Sequence, residues 1–145
     1  MKKSISLFVF ILFCGMVSAQ SVLGTWKTID DETGEAKSYL TLYEKNDKVY
    51  GKVAKLLKSA PDKLCEKCPG SRHNQPILGM VVLIDMEKKD GYYQKGKILD
   101  PEKGKWYTCN FWLQKGNSDV LEVRGYIGPF FRTQKWYRVD EESSN

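Results

Sequence analysis

Apolar and polar residues alternate with a period of two along most of the chain beyond residue 21, and turn-forming clusters interrupt the alternation at short intervals. Such alternation places one face of an extended segment in a core and the other in water. It predicts strands over residues 22–28, 37–44, 48–57, 77–86, 92–99, 105–113, 120–126 and 130–139. The separators are rich in residues that tolerate tight-turn backbone angles: Asp30 to Gly34, Asn46-Asp47, Lys88 to Gly91, Asp100 to Gly104, Gly116 to Asp119 and Gly128-Pro129. No stretch keeps a 3.6-residue period for three turns, so the chain is expected to be all-β.

Eight antiparallel strands joined by short turns can form a sandwich or an up-and-down barrel. The two ends of the pattern favour the barrel. Gly24-Thr25-Trp26 opens the first strand and Trp136-Tyr137-Arg138 closes the last. In a closed sheet these strands pair, and Arg138 can lie over an indole face as a cation–π contact. Gly24, Trp26, Trp136 and Arg138 are therefore assigned to barrel closure. An eight-stranded barrel is either filled by its own side chains or holds one small ligand.

One connection breaks the rhythm. Residues 58–76 hold the Cys65/Cys68 pair and His73, the single histidine of the chain. Long connections in small domains are usually functional or covalently pinned.

The first nineteen residues stand apart from this pattern. Lys2 and Lys3 precede an apolar run from Ile5 to Val17, and Val17-Ser18-Ala19 supplies the small residues of a cleavage site. That is the layout of a secretory signal, too short for a convincing membrane span. The expected organisation is a signal peptide over 1–19, a barrel domain over 20–139 and a polar tail over 140–145. Removing Lys2 and Lys3 lowers the net charge from +5 to +3, and the remaining lysines are scattered rather than clustered. Nucleic acid is not an expected partner, nor is the chain expected to be an integral membrane protein. An exported chain of this kind is expected in the periplasm.

The motifs Gly24-Thr25-Trp26, Tyr50-Gly51-Lys52, Cys65 to Gly70, Gly96 to Pro101, Gly104 to Cys109, Val123 to Gly128 and Arg132 to Trp136 together carry a family resemblance. The chain resembles the exported bacterial domain of unknown function 2147 family, over nearly all of residues 22–138. The resemblance implies a lipocalin-like (calycin-like) fold and brings no established activity with it. Phe131 departs from the pattern, which prefers glycine before the Arg-Thr-Gln segment.

After signal removal Cys65, Cys68 and Cys109 remain. In an oxidising compartment the favoured reading is a structural disulfide, Cys65–Cys68 within the loop or one of them with Cys109. A thioredoxin-type redox site would want a helix N-terminus at the thiolate, but Pro69-Gly70 follows Cys68. A zinc site from Cys65, Cys68, His73 and Cys109 matches ligand spacing only in part. On the strand over 105–113, Trp106, Tyr107, Phe111 and Trp112 put aromatic rings on both faces. One face suits a core; the other suits a belt or an aromatic-lined pocket.

Tyr50, Trp112, Arg124, Tyr126 and Arg132 are the candidate ligand-binding residues. Arg124 shares a strand face with Glu122 and Tyr126, whereas Leu121 and Val123 share the other. If the first set faces inward, Arg124 can hold a carboxylate or phosphate with Glu122 as its resting partner. Neither a nucleophile elbow, a paired-histidine motif, a phosphate loop nor a zincin motif occurs. No cofactor is expected. The leading expectation is a non-catalytic exported barrel that binds a small apolar or amphipathic molecule. The alternatives are a plugged barrel that meets an envelope protein, and a metal or thiol site on the Cys65–Pro76 loop.

Overall fold

Period-two alternation gives each strand one apolar face, and a row of such strands hides those faces by curling until its edges meet. A computed structural model describes residues 20–140. The segment over 1–19 expected to be a signal, and residues 141–145 of the expected tail, lie outside the described residues. The strands are β1 (Gly24–Ile29), β2 (Ala36–Lys45), β3 (Lys48–Leu56), β4 (Val81–Lys89), β5 (Tyr92–Asp100), β6 (Lys105–Gln114), β7 (Asn117–Ile127) and β8 (Phe130–Arg138). Each pairs antiparallel with the next, and β8 returns to β1 to close the barrel. The fold is the expected eight-stranded up-and-down barrel.

Two strand starts differ by three or more residues from the sequence pattern. β4 starts at Val81 rather than at residue 77. Gly79 takes a left-handed φ of 82° and the Met80 N–H closes a turn on the Ile77 carbonyl, which holds this stretch out of the sheet. Ile77 is nevertheless buried, and that is why it carries a strand-like apolar signal. β7 starts earlier than expected, at Asn117. Its register with β6 continues to Gln114, so polar residues follow the hairpin even where alternation is weak.

The long connection between β3 and β4 is pinned by a Cys65–Cys68 disulfide. Further bonds run within it, from the Cys65 N–H to the Gln75 carbonyl at 2.8 Å and from the Asn74 N–H to the Cys65 carbonyl at 2.9 Å. It packs on the β5–β6 turn, where Cys65 Sγ lies 3.3 Å from the Pro101 carbonyl oxygen. A disulfide sulfur has no proton to donate, so this is a packing contact. Arg72, from the single 3-10 turn among the described residues, lies over the Trp106 ring at 5.0 Å. Among the described residues Cys109 is the cysteine left free, fully buried on the inner face of β6, and burial pushes its thiol up to about 12.

Candidate functional site

The up-and-down order sends all even-to-odd turns to one end of the barrel and all odd-to-even connections to the other. The two ends are filled differently. Toward the first end, Trp26, Leu42, Val49, Met86, Phe111 and Leu121 are buried and occupy the interior. Tyr93 stacks on Phe111 with ring centres 4.7 Å apart. Gly51 and Gly96 admit this packing, since a Cβ on Gly51 would lie 2.8 Å from Leu42 and one on Gly96 would meet both Met86 and the Ile84 carbonyl.

Toward the second end the side chains shorten or turn polar, and a cavity of about 440 Å³ remains. Leu40, Val53, Ile77, Val82, Ile98 and Val123 form its apolar wall, with Tyr107 and Trp136 as its aromatic members. Gly125 contributes bare backbone to it. Thr28 and Ser38 add two buried hydroxyls that bond each other at 2.8 Å. Because that bond satisfies them internally, the wall they line stays weakly polar.

The rim is charged. The β1–β2 loop places Asp30 and Asp31 at the mouth. Asp30 Oδ1 accepts the N–H groups of Glu32 and Thr33 at 2.9 and 3.0 Å, and its Oδ2 meets Lys58 Nζ at 3.0 Å. The Lys58 bond, then these backbone bonds, hold its carboxyl well below the usual carboxylate range, and Asp30 in turn raises Lys58. Asp31 reaches to the inner face of β8, where its Oδ2 accepts from Gln134 Nε2 and pairs with Arg132 Nη1 at 3.3 Å. Gln134 also accepts the Trp136 indole N–H at 3.0 Å, which fixes the orientation of its amide. Lys37 of β2 pairs with Glu102 of the β5–β6 turn at 3.0 Å.

Of the five candidate ligand-binding residues, Arg132 alone lines this cavity. On β7 the inward positions are Leu121, Val123 and Gly125, so Glu122, Arg124 and Tyr126 point outward. The choice follows from desolvation: two apolar side chains gain by burial, whereas a carboxylate and a guanidinium would lose their hydration. Outside, Arg124 lies between the Trp112 and Phe131 rings at 5.1 and 4.4 Å and donates to Thr133 Oγ1 at 2.9 Å. Glu122 accepts the Trp112 indole N–H at 2.6 Å instead of serving as partner to Arg124. Tyr126 accepts from Asn110 at 3.3 Å. Tyr50 also faces outward on β3, stacked on Tyr43, and its hydroxyl donates to Asp85 at 2.9 Å, a bond that raises its pKa. Of the residues assigned to closure, Arg138 lies over Trp26 at 4.3 Å at the other end, whereas Trp136 lines the cavity.

Sequence reasoning missed Gln134, Asp31, Gly125 and the Thr28–Ser38 pair. A signal for two of the rim residues was present: stepping back by two from Trp136 reaches Gln134 and then Arg132 on one face of β8. Asp31 carried no such signal, since its role comes from a loop that crosses to the far edge of the sheet.

Residues 24–138 match the family described as "Uncharacterized protein conserved in bacteria (DUF2147)", and the chain belongs to that family. Among solved structures it is similar to one described as "Protein HP1028 from the human pathogen Helicobacter pylori belongs to the lipocalin family". The two share 22% identity and a TM-score of 0.74, over 85% of this chain and 86% of that one. At that identity the likeness shows the fold, a lipocalin-like barrel. No curated protein matches the chain.

Proposed function

We propose that this lipocalin-like member of the DUF2147 family binds a small apolar or amphipathic molecule, without catalysis, in the open half of its barrel. The supporting observation is the cavity itself: about 440 Å³ with apolar walls, in a barrel whose other half is solidly packed. Its volume lies within the roughly 300–1,000 Å³ typical of small-molecule sites, and a few polar groups converge at its mouth. A signal over residues 1–19 would carry the chain to the periplasm; fractionation that leaves it in the cytoplasm would overturn that part.

The test is native mass spectrometry of the protein purified from an exported preparation, set against the denatured sample. A discrete extra mass lost on denaturation is the expected result. Gly125→Phe supplies the control. A Cβ there meets nothing closer than Tyr107 Cβ at 3.9 Å, so the ring would project into the cavity without breaking the strand. It should remove the adduct and leave the fold intact; an adduct that survives would place the ligand elsewhere.

A second reading draws on one observation. Ile127, Phe130 and Phe131 are 63%, 75% and 61% exposed beside the β7–β8 turn, a grouping that fits an envelope protein partner. A photo-crosslinker at residue 131 that yields no discrete protein adduct in intact cells would count against it. The loop cysteines offer less to a thiol or metal reading, because both sulfurs are spent in the disulfide.

A further inference from the structure

We propose that the cavity selects an anionic amphiphile, its carboxylate or phosphate head held by Arg132 in place of Asp31. This rests on the reading of the cavity as a ligand site and adds the chemical class of the head group. Lys37, Lys103 and Arg132 are the basic residues lining the mouth, with Lys58 beside them paired to the rim residue Asp30. Lys37 meets Glu102 and Lys58 meets Asp30, each at 3.0 Å. Arg132 differs in both position and engagement. It occupies an inward register position on β8, opposite Gly125, directly above the apolar wall. Its guanidinium offers five N–H donors in a planar fork, and the contact with Asp31 uses Nη1 alone at 3.3 Å.

The Asp31 contact is exchangeable. Asp31 Oδ2 carries two donors, and the shorter bond is the one from Gln134. That amide is itself fixed by the Trp136 indole, so Asp31 keeps a partner when Arg132 turns away. The Arg132–Asp31 pair is also partly in water, with side chains 68% and 30% exposed, where such pairs add little stability. A planar anion brought in by an apolar tail can accept two parallel bonds from the fork, a better match than the single contact it replaces. The tail would lie against Val123, Ile98 and Leu40. At about 30 Å³ for each water-sized group, the cavity holds roughly fifteen such groups, enough for a chain near ten carbons.

The experiment is calorimetric titration with four decyl amphiphiles below their aggregation concentrations: decanoate, monodecyl phosphate, decanol and decyltrimethylammonium. Charge-assisted bonds at a partly solvated site predict anions bound about tenfold more tightly than decanol. Arg132→Gln should abolish that preference, weakening the two anions about tenfold and decanol far less. Arg132→Lys, which keeps the charge without the fork, should restore only part of it. Asp31→Asn should tighten anion binding by removing the competing carboxylate. The better of decanoate and decyl phosphate assigns the head group. Equal binding of all four by the unaltered protein, or an Arg132→Gln variant that weakens decanol as much as decanoate, would overturn the inference. In that event, decanol binding abolished by Gly125→Phe would still uphold the cavity as a ligand site. Binding of none of the four would sink both.

Discussion

The guanidinium of Arg138 covers the face of Trp26, its central carbon 4.3 Å from the ring centre, at the seam where the last strand meets the first. Trp26 is fully buried and donates its indole N–H to the Val22 carbonyl at 2.8 Å. Arg138 donates to the carbonyls of Ser21, Leu23 and Ser118 and pairs with Asp119 at 3.3 Å. The strand register at this seam runs only through Trp26 with Arg138 and Lys27 with Tyr137. One side chain thus ties the incoming chain, β1 and the start of β7 to β8.

Replacing that side chain should therefore cost more than an ordinary surface change. Arg138→Ala is expected to lower stability by about 2–3 kcal/mol, from the stacked cation and the carbonyl bonds together. Arg138→Lys keeps the charge but loses the planar fork and should recover less than half. Urea unfolding reads both; an Arg138→Ala midpoint equal to that of the unaltered protein would refute the closing role.

Gly104 is where the disulfide-pinned connection meets the β5–β6 turn. It takes a φ of 64°, and an added Cβ would collide with the Lys67 carbonyl. Gly104→Ala should destabilise by about 2–4 kcal/mol, from left-handed strain plus displaced backbone. Faster proteolysis within residues 58–76 should accompany the loss. An unchanged melting temperature would show that the loop yields without cost.

The thiol content follows from the cysteine arrangement. With Cys65 and Cys68 bonded and Cys109 buried, its thiol pushed up to about 12, the folded chain from Gln20 should not react with iodoacetamide at pH 8. Denaturation without reductant should expose one thiol, and denaturation with reductant three. Three thiols without reductant would mean that the loop is not covalently pinned.

Asp30 sets an acid response. Its folded pKa lies below its ordinary value of 3.8, so its bonds to Lys58 and the loop N–H groups stabilise fully above that value. The contribution is lost as the pH falls from there through the depressed folded value. Asp30→Asn should flatten the part of the stability–pH profile below about pH 4 that belongs to this group. An identical acid limb in the variant would assign acid sensitivity to other carboxylates.

Arg124 provides a contrast with Arg132. It lies outside the barrel between Trp112 and Phe131, so Arg124→Ala should leave ligand affinity unchanged. The stability cost of the lost stacking should be about 0.5–1 kcal/mol. A clear loss of ligand affinity would move the binding site to the outer face.

Most strand positions were legible because period two is a local property. Neighbouring residues on one strand fix each other's faces, and Asp, Asn, Gly and Pro mark the turns. Ile77 was misleading for a physical reason: burial beneath a loop produces the same apolar signal as burial in a sheet. Arg124 and Arg132 were both visible as polar residues on aromatic strands, yet only one lines the cavity. Alternation says that Leu121 and Arg124 face opposite ways, and the direction of each is decided by what the neighbouring strands present.

The amino-acid order alone settled the all-β class and the eight strands, since these follow from local alternation and turn chemistry, and its two ends favoured pairing of the first strand with the last. It also marked Arg138 and Trp26 as partners. Tertiary structure decided that the barrel is solid in one half and hollow in the other, because filling depends on side-chain volumes summed across eight strands. It likewise brought Asp31 to Arg132, more than a hundred residues apart, since a loop at one edge meets the last strand only once the sheet has closed.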